Sequence, residues 1–293
     1  MMRVGIIDVG SNTVRLLVAS CAGNRLVPVH ESRAFLGLGE EVENFGWISD
    51  LKLRETAWCV REQAAEARAH GVHHVEVVVT APGRQSANAT ELVAALAEAA
   101  HAPVRVLGPE EEGRLSYFGV LAGLEEIPGS IAVCDLGGGS TELVVGTPAG
   151  PAWERSIDLG AVRLTHRLDF DDPPGKGVLP AAREEAHRLI TNLTPPLAKA
   201  AYVTGGTARA LRRVAGRRLG AKELEHAETL LSKRSSDEIA KRFEIDPRRA
   251  RTLLAGCLIL AEVQAHLAIP LEVAKTGLRE GAALDVLSEL AAA

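Results

Sequence analysis

The sequence predicts an α/β protein made of two similar halves, each opening with a strand, a glycine turn and a second strand. Three observations carry that prediction. Runs of β-branched residues alternate with Ala-, Glu- and Arg-rich stretches along the whole chain of 293 residues. "IDVGSNTVRLLV" at 7–18 and "CDLGGGSTELVV" at 134–145 share one grammar, in which Asp8 matches Asp135, Gly10 matches Gly137 and Thr13 falls beside Ser140. Hydrophobic residues make up 46% of the chain but aromatics only 3%, so Ala, Val and Leu fill the core, which suits sheets layered with helices.

The elements follow in order. Strands are expected at 3–8, 14–19, 25–35, 75–80 and 104–107, from continuous apolar or alternating patterns. Helices are expected at 50–70, at 89–101 and from Pro109-Glu110 onward, giving the order β-β-β-α-β-α-β-α and a mixed sheet. "EEIPGS" at 125–130 reads as a linker, which sets domains at 1–125 and 126–293. The pattern then restarts with strands at 131–136, 141–146 and 152–158, helices at 161–168 and 181–192, a strand at 201–206 and a helix from 207. Ser235 and Glu238 form a capping box, and Asp246 with Pro247 opens one long helix through "LLAGCLILAEVQAHL". A strand in "EVAKTG" and an apolar helix from 277 close the chain; that helix could support a homodimer or pack back on the first domain.

Composition excludes several functions. A net charge of −5 provides no global field for nucleic acid. Cys21, Cys59, Cys134 and Cys257 are scattered without C-x-x-C, which argues against zinc or a disulfide framework. The apolar run before Asp8 is too short for a secretory signal, and no stretch approaches the ~20 residues a bilayer needs, so a cytoplasmic protein without a membrane partner is expected. There is no Gly-x-Ser-x-Gly elbow and no P-loop.

The two turns point to phosphate. Glycine lets backbone N–H groups line a concave anion seat, and Gly10, Ser11, Asn12, Thr13, Gly137, Gly138, Gly139, Ser140 and Thr141 supply amides, hydroxyls and a carboxamide. Asp8 and Asp135 would repel a phosphate unless a divalent cation lay between them, and hard oxygen ligands of this kind suit Mg²⁺. Gly205 and Gly206 in "VTGGTAR" offer a further seat at a helix start. "GPEEEGR" places Glu110, Glu111 and Glu112 at another helix start, where one could deprotonate water; spacing does not choose which. Arg15, Arg33, Arg84, Arg209, Arg212, Arg213 and Arg217 are the cationic candidates, with 209, 213 and 217 on one helical face as a path for a polyanion.

At this point "IDVGSNTVRLLV", "RAFLGLGE", "EEEGRLSYFGV", "DLGGGSTELVVG", "SIDLGAVRLTH", "TGGTARAL" and "TGLREG" resemble, in order, the blocks of the exopolyphosphatase and guanosine pentaphosphate phosphatase family. The resemblance runs from residue 4 to about 282 and is closest to the short, two-domain members, which implies short chains as substrate. It implies two ribonuclease-H-like domains of the actin-like, sugar-kinase-like superfamily with the active site in the cleft between them. It also implies attack of water on a terminal phosphate, dependent on Mg²⁺ or another divalent cation. The family's catalytic glutamate maps onto Glu112, its metal and water partners onto Asp135 and Glu142, and its phosphate-binding arginine onto Arg84, with Asn88 four residues on. Pro82-Gly83 makes the lead-in to Arg84 a turn.

The function expected is hydrolysis of the terminal phosphoanhydride of inorganic polyphosphate. Removal of the 5′-phosphate of guanosine pentaphosphate, or hydrolysis of nucleoside tri- and diphosphates, is the alternative within the same chemistry. A sensor that binds such phosphates without turnover is the alternative outside it.

Overall fold

The computed structural model describes residues 2–22, 25–175 and 177–292. The elements in chain order are β1 (Arg3–Val9), β2 (Thr13–Ala22), β3 (Arg25–Phe35), α1 (Leu38–Phe45), α2 (Asp50–Ala69), β4 (His74–Val79), α3 (Ala81–Gln85), α4 (Ala89–Ala100), β5 (Val104–Val106) and α5 (Pro109–Ala122). There follow β6 (Ile131–Leu136), β7 (Thr141–Thr147), β8 (Gly150–Ile157), α6 (Ala161–Arg167), α7 (Val178–Ile190), β9 (Ala200–Thr204), α8 (Gly206–Ala215), β10 (Arg218–Leu219), α9 (Ala221–Leu231), α10 (Ser236–Phe243), α11 (Pro247–Arg251), α12 (Leu253–Leu267), β11 (Leu271–Val273) and α13 (Leu278–Ala292). The chain divides into two compact units, Met1–Gly123 with Thr276–Ala293, and Leu124–Lys275.

Each unit is a mixed sheet with one wiring. The first is ordered β3-β2-β1-β4-β5, with β1 antiparallel to β2 and parallel to β4. The second is ordered β8-β7-β6-β9-β11-β10, with β6 antiparallel to β7 and parallel to β9. Three antiparallel strands followed by parallel crossovers are the ribonuclease-H-like plan, so the duplication seen in the two turns extends to whole sheets.

In the first unit, alternation along the strands splits the core in two. Ile7, Val9, Val14, Leu16 and Val18 pack with Val60, Ala64, Leu92 and Leu96 of α2 and α4. Val4, Ile6, Leu17 and Ala19 pack with Leu115 of α5 and Ala282, Ala283 and Val286 of α13. Helices α5 and α13 meet backbone to backbone: a Cβ placed on Gly281 would lie 2.6 Å from the Leu115 carbonyl carbon, and one on Gly119 2.7 Å from that of Gly277. Buried Arg279 locks the join, donating from Nη1 to Leu16 O at 2.8 Å and from Nη2 to Glu31 Oε2 at 2.8 Å. The C-terminal helix therefore packs on the first unit, and the apolar face expected to support a dimer is consumed there. In the second unit one large cluster, including Ala132, Cys134, Leu136, Leu143 and Val145, covers one face of the sheet with helices α6 to α12.

Other expectations need correction. Helix α1 was not foreseen, because "LGEEVENF" has too few apolar residues to show a period. Pro82 and Gly83 lie in the short helix α3 rather than in a turn, Pro82 standing in its first turn where a missing N–H costs nothing. The single helix expected from Pro247 is interrupted at Thr252, whose buried hydroxyl donates back to Arg249 O at 3.4 Å. The capping box at Ser235 and Glu238 is formed, with both reciprocal bonds present. Among the described residues no helix is long and apolar enough to cross a membrane.

Candidate active site

The two glycine turns are built alike. Gly10 N–H donates to Thr13 O at 3.0 Å, and Gly137 N–H donates to Ser140 O at 3.0 Å, so each turn is closed by the same bond between equivalent residues. Each is then clasped by the first turn of the helix that follows the third strand. Gly39 N–H donates to Ser11 O at 2.6 Å in one unit, and Val162 N–H donates to Gly138 O at 2.9 Å in the other. Leu36 and Gly37 also donate to Asn12 O, and Ala161 to Gly137 O. A trans peptide directs its C=O and N–H oppositely. Carbonyls tied to the helix thus turn the N–H groups of Asn12, Gly138 and Gly139 away from it, in the orientation an anion seat needs. Asn12 is 6% exposed and its Nδ2 is a buried donor without an acceptor. The amides of Gly10 and Gly137, by contrast, close the turns.

Glycine is required in the clasp itself. A Cβ on Gly160, the residue before α6, would lie 2.5 Å from Gly139 N and closer still to Gly138 C and O. A Cβ on Gly39 would lie 2.7 Å from Ser11 Cβ. One expected ligand group falls away: Thr141 is fully buried and its hydroxyl donates to Leu159 O at 2.5 Å, so it holds the second turn against the approach to α6.

The sheet register places charges beside the turns. In the first unit Asp8 stands opposite Arg15, and Arg15 opposite Arg33. Asp8 continues the row of Val4 and Ile6, on the face that α5 covers. In the second unit Asp135 stands opposite Glu142, and Glu142 opposite Ser156, whose hydroxyl donates to Glu142 Oε1 at 2.8 Å. Asp135 is 8% exposed and Glu142 2% exposed. Two buried carboxylates directly opposite each other repel. The neighbouring Cys134 thiol records them: burial, then the charges of Asp135 and Glu142, push its pKa far above the ordinary thiol value. The cross-strand carboxylate pair is the donor chemistry a hard divalent cation takes. Mg²⁺ is usually held by one or two carboxylates with waters and phosphate oxygens completing its shell, so the residues present fit it. Among the described residues no cluster of three or more His, Cys, Asp or Glu offers a fuller cage.

The three consecutive glutamates of α5 have three different fates. Glu110 is exposed. Glu111 accepts from Arg105 Nη1 at 2.9 Å, within a cluster in which Arg105 also meets Glu76 and Asp285. Glu112 is buried and accepts from Arg84 Nη1 at 2.7 Å, and the same nitrogen donates to Leu107 O at 2.7 Å. Asn88 braces α3 from the side, bonding both the N–H and the C=O of Ile48. Glu112 and Arg84, expected from the resemblance as catalytic glutamate and phosphate-binding arginine, are brought together by α5 and α3.

The turn between β9 and α8 presses on the second carboxylate pair. Gly205 has φ +99° and a Cβ there would lie 3.2 Å from Asp135 Oδ1. On its far side Gly206 lies against the guanidinium of buried Arg249, which sequence reasoning missed because nothing in "DPRRAR" distinguishes one arginine from the next. The expected arginine stripe does not form. Arg213 donates to the α10 carbonyls of Phe243 and Glu244, Arg217 lies beyond the end of α8 facing Glu272 at 3.7 Å, and only Arg209 stays near the turn. Arg33 is exposed, its guanidinium 5.7 Å from the centre of the Phe35 ring.

Residues 17–290 match the model of the Ppx/GppA phosphatase family. Exopolyphosphatase 1 of Mycobacterium tuberculosis is 29% identical, covering 98% of this chain and 88% of its own length. The crystal structure of the Aquifex aeolicus member of the Ppx/GppA family is 29% identical with a TM-score of 0.83, over 98% of each chain. An exopolyphosphatase from Cytophaga hutchinsonii shares the fold with a TM-score of 0.90 at 19% identity, again over 98% of each chain.

Proposed function

The chain belongs to the Ppx/GppA phosphatase family, and on that premise we propose that it is an exopolyphosphatase, releasing the terminal phosphate of inorganic polyphosphate. The family makes it a phosphoanhydride hydrolase. One observation supports the finer reading most strongly: of three adjacent glutamates, only Glu112 is buried and fixed by a guanidinium.

In this scheme Glu112 takes a proton from the attacking water as its oxygen bonds to the terminal phosphorus. The bridging P–O bond breaks and its electron pair leaves on the shortened chain. Arg84 holds the Glu112 carboxylate in place through their 2.7 Å ion pair. Asn12, Gly138 and Gly139 present outward N–H groups, and Ser11, Thr13 and Ser140 hydroxyls, to phosphate oxygens. Arg15 adds positive charge beside the first turn and Gly205-Gly206 beside the second. Asp135 and Glu142 are the residues that would hold Mg²⁺, which when bound would supply charge neutralisation at the transferring phosphoryl group. Asp8, opposite Arg15 in the register, would be a further carboxylate toward the cation.

The test is Glu112→Gln. Phosphate release from polyphosphate should fall by about 10³, within the range for loss of a general base, while polyphosphate still binds. Release at the parental rate would overturn the assignment. Running the parent protein on polyphosphates of several lengths, guanosine pentaphosphate and ATP ranks the substrates; a higher kcat/KM for either nucleotide would displace polyphosphate.

A further inference from the structure

Helix α5 begins without a cap of its own. Its N-cap is Gly108, which has no side-chain oxygen to offer the free N–H groups of the first turn, and that turn leads into Glu110, Glu111 and Glu112. Two guanidiniums tie it down instead. Arg84 holds Glu112 and Leu107 O through one nitrogen, Nη1. Arg105 holds Glu111. Successive helix residues stand about 100° apart, so the two ties pull on different sides of the turn.

Arg105 lies in the edge strand β5, opposite Val78 of β4, and so shares the face that α5 and α13 cover. From there its Nη1 donates to Glu111 Oε1 at 2.9 Å and to Asp285 Oδ2 of α13 at 3.1 Å. Its Nε lies 2.8 Å from Glu76 Oε1 of β4. The three carboxylates come from three elements, so one side chain fastens the start of α5 to α13 and to the sheet. Farther along, α5 and α13 already meet backbone to backbone at Gly119 and Gly281, which makes α13 a firm anchor. The two ties differ in duty. Arg84 is the arginine expected to meet phosphate, and an incoming anion competes with Glu112 for it. Arg105 is engaged by carboxylates, and its hold on Glu111 persists when phosphate draws on Arg84. Resting on the reading of Glu112 as the base, we propose that Arg105 is a positioning residue for hydrolysis. Through Glu111 it anchors the first turn of α5 to α13 and the sheet, and so keeps Glu112 in place for proton transfer from the attacking water.

The adjacent glutamates supply the test, because one substitution can be walked along the turn and read as phosphate release from polyphosphate. Glu110→Gln, at an exposed position, should leave kcat and KM unchanged. Glu111→Gln should lower kcat about 10-fold and leave KM unchanged, since a misplacement of about 1 Å at the reacting groups costs up to ~10²-fold. Glu112→Gln should show the ~10³-fold loss of a general base. Arg105→Gln should lower kcat at least as far as Glu111→Gln, and combining the two should cost no more than Arg105→Gln alone, as for partners in one interaction. Arg105→Lys keeps the charge without the fork and should fall between the parent and Arg105→Gln. Circular dichroism checks that each variant is folded at the assay temperature. Should Arg105→Gln fail to fold, Glu111→Gln carries the test, because there Arg105 keeps Glu76 and Asp285. A Glu111→Gln enzyme as fast as Glu110→Gln, a loss in KM instead of kcat, or losses that multiply in the double variant would overturn the proposal. Parental activity in Glu112→Gln would instead overturn the assignment of the base, so the two failures are told apart.

Discussion

The two halves share a scaffold and differ in charge. Both turns close with one bond, and both are clasped by helix amides on the same two carbonyls, those of Ser11 and Gly138. Across the strands, however, the first half reads Asp8, Arg15, Arg33 and the second reads Asp135, Glu142, Ser156. The first row carries its own counter-charge. The second stacks two carboxylates on neighbouring strands. Duplication preserved the backbone geometry that orients the amides, and the two rows differ most at one strand position, Arg15 in the first half and Glu142 in the second.

The largest effect should come from breaking the clasp. Gly160→Ala forces a methyl into the backbone of Gly138 and Gly139, atoms that cannot yield without moving the turn. Overpacking of this kind costs about 3 kcal/mol, read by urea unfolding, and should abolish phosphate release. Gly39→Ala meets Ser11 Cβ at 2.7 Å and Ser11 O at 3.1 Å, longer contacts than those at Gly160, so a smaller cost of about 1–2 kcal/mol is expected. Equal costs would mean that the two clasps are not the asymmetric pair the contacts describe.

Much of this was legible in the sequence, and the illegible part has a common cause. The Asp-Gly turns, the strands and the start of α5 at Pro109 are local patterns, written in consecutive residues. What escaped depends on partners far along the chain. Glu112 is singled out from its neighbours by Arg84, 28 positions away, and by Arg105, which takes up Glu111. Thr141 turns its hydroxyl inward because Leu159 O lies there, and Arg213 is absorbed by the end of α10. The need for glycine at 160 is a contact with residues 138 and 139, invisible to any local rule.

Next in size are two substitutions at the position where the halves diverge. Glu142→Gln should lower phosphate release by about 10² or more, in line with the loss of a metal ligand or its partner. Its effect on stability should have the opposite sign to that of Arg15→Gln. With divalent cations chelated, Glu142→Gln relieves the repulsion from Asp135 and raises stability by up to about 1 kcal/mol, while Arg15→Gln removes the charge facing Asp8 and lowers it by about as much. Mg²⁺ should then stabilise the parent and leave Glu142→Gln unmoved, because a ligand stabilises only the state that binds it. Stabilisation of both by Mg²⁺ would place the cation elsewhere.

The smallest expected effect lies one step behind the turns, where the halves also differ. The register pairs Ile6 with Glu76 in the first unit and Val133 with Tyr202 at the matching place in the second. Burial pushes the Glu76 pKa above the ordinary glutamate value, against the pull of Arg105. For Tyr202 burial, reinforced by the charge of Glu272, raises the phenol pKa above 10, beyond the range in which the folded protein is handled. A carboxyl that holds its proton more tightly when folded contributes stability that is complete below its unfolded pKa and is lost as pH rises through its folded pKa. Stability measured upward from about pH 4.5 should therefore carry a falling contribution from Glu76 that Tyr202 does not share. Glu76→Gln should remove that slope while Tyr202→Phe leaves it in place. If Glu76→Gln made the slope steeper, the ion pair with Arg105 would have outweighed burial, and Glu76 would belong with the charge-balanced row of its own half.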